Sequence, residues 1–169
     1  MFTSSNIILR YRPSSKGKWG TFGALDSSLD DLQLLQLAGR LNGSLLRMGG
    51  SPADFLVYET NPNACSAANL NRTQTKGPGG YFCPIWDQAP GQCLTMARWS
   101  EINRFAMRTG LHILFDLNAC WGRASSDGAM DMTLIQGQLN ATATMAALAV
   151  FGFLFGNELY TNVAAQRYG

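Results

Sequence analysis

"TMARWSEINRFAMRTGLHILFDLN", residues 95–118, is the stretch whose reading decides the fold. Met96, Trp99, Ile102, Phe105 and Ala106 recur at helical spacing, so residues 95–110 read as a helix with one apolar face. Gly110 supplies its terminator. The next eight residues, 111–118, read instead as a buried β-strand that ends on Asn118. A helix feeding directly into a strand is part of a βα repeat.

The same alternation appears on both sides. "DLQLLQLAGRLNG" (31–43) has leucines at 32, 34, 35, 37 and 41 in a helix-like stripe, stopped by Asn42-Gly43. "SLLRM" (44–48) reads as a short buried strand ending in Gly49-Gly50. Downstream, residues 130–150 supply another helix and "FGFLF" (151–155) another strand. Helices and strands alternating at this spacing indicate a parallel sheet. Residues 51–93, apart from the apolar "DFLVY", are rich in Gly, Pro, Asn and Ser and read as a long surface excursion.

In a parallel α/β sheet, ligands are handled at the carboxyl ends of the strands. Both well-defined strands end in polar residues: Asn118, and Asn157-Glu158 after Gly156. Glu158 therefore stands where such a fold puts catalytic groups, although an acid that caps the following helix fits the same position.

The 169 residues suffice for one globular core. A hydrophobic share of 46% against 14% charged residues argues against disorder, and a net charge of +2 implies no nucleic-acid partner. Residues 1–20 carry Arg10, Arg12, Lys16 and Lys18 without an acid and read as a basic, solvated tail. No signal peptide is visible there. The low-polarity window from Ala141 to Gly156 is too short for a membrane span and reads as a buried helix running into a buried strand.

Cys65, Cys83, Cys93 and Cys120 lack zinc-site spacing, so no metal is implied; three fall in the 65–93 stretch, where a disulfide is plausible in an oxidising compartment. Three N-x-S/T sequons begin at Asn42, Asn71 and Asn140, with Asn71 the best acceptor because its surroundings read as polar loop. His112 lies within the strand pattern and reads as a packed residue.

The segments "LLRMGGSPADFLVYE" (45–59), "CLTMARWSEINRFAMRTGLHILFDLNACWGR" (93–123) and "GFLFGNELY" (152–160) together resemble successive blocks of the heparanase-like glycoside hydrolases of family 79, the plant members especially. The similarity runs over about residues 20–163 in the family's order and spacing. It implies an α/β fold: a partial (β/α)₈ TIM barrel, roughly its first four βα units, with a long loop after the second strand. Residues 21–169 would form the N-terminal half of that barrel.

The resemblance further implies retaining hydrolysis of β-glucuronide or related bonds in a polysaccharide or proteoglycan glycan, with no cofactor. Glu158 is then the general acid/base and Asn157 the asparagine that holds the sugar's 2-hydroxyl. Asp26, at the expected end of the first strand, Ser51 and Asn118 are substrate contacts. By their own chemistry, Trp121 fits stacking on a sugar or plain packing, and Arg123 fits meeting a uronate or a helix-start or loop salt bridge. The apolar strand before Glu158 raises its pKa by desolvation, as a proton donor requires.

Such chemistry needs a second carboxylate about 5–5.5 Å away. The resemblance puts it on a later strand, and none of the eleven acids here, from Asp26 to Glu158, matches it. Asp116 shares a strand face with Asn118 but reads as a buried or loop-paired acid. The expectation is therefore a half-barrel that lacks its C-terminal half, in a secreted, cell-surface, lysosomal or vacuolar enzyme with possible peripheral membrane association. The alternatives are a non-catalytic carbohydrate-binding or structural remnant, and a membrane-anchored helical protein built on residues 141–156.

Overall fold

A computed structural model describes residues 4–8, 24–50, 53, 56–66, 92–118, 132–144 and 149–155. In chain order the elements are β1 (Ser4–Ile8), α1 (Leu32–Gly39), β2 (Leu45–Gly49), β3 (Leu56–Tyr58), β4 (Gln92–Leu94), α2 (Met96–Thr109), β5 (His112–Leu117), α3 (Met132–Ala143) and β6 (Val150–Phe155).

Four strands form one parallel sheet in the order β1-β2-β5-β6, while β3 and β4 pair separately, also in parallel. Neighbours in the larger sheet follow one another in the chain, so each added strand extends it in the same direction. With the right-handed crossovers that parallel strands favour, such winding puts every connecting helix on one face. This mixed α/β architecture is consistent with the opening part of a TIM barrel.

The helix at 95–110 forms as its pattern predicts. Thr95 caps α2, its side-chain oxygen accepting the Arg98 N–H at 3.0 Å, and Gly110 closes it in the left-handed region with φ of 68°. Trp99, Ile102, Phe105 and Ala106 are buried, and the Trp99 ring lies 4.7 Å from that of Phe115 on β5. Strand residues alternate accordingly. Leu46, Met48, Ile113, Phe115 and Leu117 enter the helix-side core, and Arg47, Leu114 and Asp116 occupy the intervening positions. Trp99 also donates its indole N–H to the Thr142 hydroxyl at 3.0 Å, which joins α2 to α3.

Several expectations are corrected. Within the supposed tail 1–20, Ser4–Ile8 forms the edge strand β1, its backbone in register with Leu45–Gly49. Five residues are too few for periodicity to reveal, and the free edge of β2 supplies the hydrogen-bonding partner. The leucine stripe of α1 is only half used. Leu34 and Leu35 pack with buried Ala38, whereas Leu32 and Leu37 flank that face and stay exposed. His112 is exposed rather than packed, at the N-terminal end of β5, with Phe151 its ring neighbour at 6.4 Å.

β6 is less buried than its pattern predicts: among the described residues it has a strand neighbour on one side, β5, and Phe151 is 66% exposed. The 51–93 excursion is partly core, since Leu56, Val57 and Tyr58 of β3 are buried. The Cys65–Cys93 disulfide, with Cα atoms 5.5 Å apart, ties the excursion's ends beside the β3–β4 pair. Among the described residues, no helix is long and apolar enough to cross a membrane.

Candidate functional site

The carboxyl ends of β2, β5 and β6 lie side by side. Met48 pairs with Phe115, and Leu117 pairs with Phe155. The last described residues of β5 and β6, Leu117 and Phe155, therefore stand on the same level of the sheet. Ligands of parallel sheets bind outside this end.

Asn118 occupies that level but turns inward. It is 1% exposed; its backbone N–H donates to the Tyr58 hydroxyl at 2.8 Å, and its side-chain amide donates to the Leu56 carbonyl at 3.0 Å. Those partners belong to β3, so Asn118 braces the strand end against the excursion. One amide N–H is thus held by the Leu56 carbonyl, which fixes how the side chain sits at the strand end.

The brace continues outward. Glu59, next after β3, accepts the Met96 N–H at 3.1 Å through its carboxylate. That places a negative charge at the N-terminus of α2, where the helix dipole favours it. Cys65 and Cys93 lock the same ribbon covalently. The site's floor is thus held by β3, β4 and α2 together.

Two positions before Asn118, Asp116 is fully buried and grips Arg47 of β2 in a fork: Nε to Oδ1 at 3.1 Å and Nη2 to Oδ2 at 2.5 Å. Bidentate pairing of this kind is the strong form of a carboxylate–guanidinium bond. Gly49 makes room for it, since a Cβ there would stand 1.9 Å from Asp116 Oδ2. An acid clamped in this way is not a nucleophile. Of the two readings, buried or loop-paired, burial holds, and the partner is on a strand.

Asp26 lies elsewhere than expected. The first strand of the sheet ends at Ile8, and Asp26 sits exposed in a turn ahead of α1. Arg98 donates to the carbonyls of Ala24 and Ser27, and Arg108 pairs with Asp30, so the 24–30 segment is strapped along α2. Two long arginines on a neighbouring helix decide its course. Ser51, Asn157, Glu158, Trp121, Arg123 and Asn71 lie outside the described residues.

Sequence reasoning missed Arg47, Tyr58 and Glu59. Only Arg47 left a signal: a guanidinium inside an apolar strand that ends in Gly49-Gly50 demands a carboxylate nearby. Tyr58 and Glu59 act across long sequence separations, for which no spacing rule exists.

The family model described as glycosyl hydrolase family 79, N-terminal domain, matches residues 11–169. Heparanase-like protein 2 of Arabidopsis thaliana is 28% identical over 161 residues, covering 89% of this chain and 28% of that protein. Heparanase-like protein 1 of the same plant is 29% identical over 161 residues with the same coverage. Baicalin-beta-D-glucuronidase of Scutellaria baicalensis is 31% identical over 106 residues, 62% of this chain and 18% of that protein. The chain thus spans little more than a quarter of the length of these heparanase-like relatives.

Proposed function

The chain belongs to glycosyl hydrolase family 79, and on that premise we propose that it forms part of a retaining glycosidase for β-glucuronides or related uronic-acid-containing glycans. Glu158 is the general acid/base and Asn157 holds the sugar's 2-hydroxyl. Ser51, just past Gly49-Gly50, is a substrate contact from the neighbouring strand end. The supporting observation is the pairing of Leu117 with Phe155, which brings the exits of β5 and β6 together at the ligand-binding end of a parallel sheet. Glu158 follows that exit by three residues.

A retaining mechanism also needs an ionised carboxylate to attack the anomeric carbon. Asp116 is committed to Arg47, so in this reading the nucleophile comes from a strand beyond these 169 residues, within the remaining barrel. Substrate is a glycan met outside the cytoplasm, in a secreted, cell-surface, lysosomal or vacuolar setting. Peripheral attachment to a membrane is compatible with it.

The test is Glu158→Gln in the full-length enzyme. Loss of a general acid lowers turnover on about the 10²–10⁴-fold scale. The loss should be largest on glycosides with poor leaving groups and smaller on activated aryl glucuronides, which depart without a proton. Unchanged turnover on both refutes the assignment. A second reading, a glycan-binding barrel without hydrolysis, rests on the nucleophile that none of the eleven acids here matches. Full-length protein that retains oligouronide and never cleaves it would establish that one.

A further inference from the structure

We propose that Asn140 carries an N-linked glycan, placed at the pole of the sheet opposite the ligand-binding end.

The side chains around it make the case. Asn140 opens the sequon Asn140-Ala141-Thr142 in the last turn of α3. Its side chain is exposed, and the bond that its Oδ1 accepts from Gln136 Nε2 at 2.9 Å uses the carbonyl oxygen and not the amide nitrogen. Thr142 is the reverse. It is 4% exposed, its hydroxyl donating to the Gln138 carbonyl at 2.8 Å and accepting from the Trp99 indole. A transferase that reads the threonine hydroxyl reaches it only before α2 and α3 pack, so the modification precedes folding. The finished fold then tolerates the product because the acceptor, unlike the threonine, stays outside.

The Cys65–Cys93 bond forms and persists in oxidising surroundings, where sequon-directed glycosylation also occurs. Topology supplies the third strand of the argument. In a parallel sheet each helix runs back towards the N-terminal ends of the strands, so the end of α3 lies at the pole away from Asn118 and the β6 exit. A glycan on Asn140 therefore leaves the substrate side uncovered. The sequon at Asn42 shares that pole, but its Oδ1 is seated against Gly110, at 2.0 Å from where a Cβ would stand.

The step balances with one co-reactant, a polyprenol-diphosphate oligosaccharide. A bond forms between Asn140 Nδ2 and the anomeric carbon of the donor's terminal N-acetylhexosamine. The bond from that carbon to the diphosphate oxygen breaks, the diphosphate leaves with the electron pair, and the amide loses one proton.

The experiment is peptide mapping of the full-length protein secreted by a eukaryotic host. The peptide spanning Asn140 should carry a hexosamine-based glycan, and enzymatic release should leave aspartate at 140. The Asn140→Gln protein should migrate faster by one glycan. A bare Asn140 peptide in secreted protein overturns the proposal, and so does finding Cys65 and Cys93 as free thiols. These readouts are masses, independent of whether the protein hydrolyses any uronide.

Discussion

Asp116 of β5 and Arg47 of β2, 69 positions apart in sequence, are joined by two hydrogen bonds across adjacent parallel strands, with Asp116 fully buried and 30% of the Arg47 side chain exposed. The pair lies on the sheet face away from the α2 core, just short of the strand ends that carry the candidate site. It ties two strand ends in one register.

Removing one partner strands the other. Asp116→Ala should lower unfolding free energy by about 3 kcal/mol, the low end for a broken buried pair because Arg47 is partly solvated. The double change Arg47→Met with Asp116→Leu should lose much less, since it leaves no unpaired charge. Denaturant melts of the three proteins decide it; equal losses in single and double variants would contradict the assignment.

Gly49→Ala tests the same contact from the other side. Its added Cβ would stand 1.9 Å from Asp116 Oδ2, so something must move. Overpacking of this kind costs about 1–3 kcal/mol. In an Asp116→Gly background most of that cost should vanish, and a double-mutant cycle reads the coupling directly.

The disulfide should matter both globally and at Asn118. Opening a loop whose ends are 28 residues apart costs about 3–4 kcal/mol on chain-entropy grounds. Replacing Cys65 and Cys93 by serine, or reducing the protein, should lower its melting temperature accordingly. Hydrogen exchange at the Asn118 amide should accelerate more than at Phe105, because Asn118 leans on Tyr58 and Leu56 of the tethered ribbon.

Gln138 should respond in the opposite direction. Both polar atoms of its side chain are buried and make no hydrogen bond among the described residues. Exchange for an apolar residue removes an unmet desolvation cost of about 1–3 kcal/mol. Gln138→Leu should therefore be neutral or raise the melting temperature. A clear drop would mean that the amide holds a bound water, which a high-resolution crystal structure would show.

Local pattern carried the elements and left their partners open. Thr95, Trp99, Ile102, Phe105 and Gly110 set where α2 starts, which face it buries and where it stops, because caps and periodicity act within a few residues. The order of blocks from Gly49-Gly50 to Gly156-Asn157-Glu158 was equally readable and led to the family that the comparison supports. The candidate site was legible as a list of strand-end residues. It was not legible as geometry: Asn118 donates to the Leu56 carbonyl of β3, and Asp26 lies in a segment strapped along α2 by Arg98 and Arg108.

Sequence by itself thus determined the helices, the strands β2, β5 and β6, and the family. Tertiary structure alone decided that Ser4–Ile8 pairs with β2, that Cys65 chooses Cys93, and that Arg47 meets Asp116. The reason is range. Helix and strand periodicities depend on neighbours a few residues away, whereas these pairings depend on which elements the completed sheet brings within bonding distance.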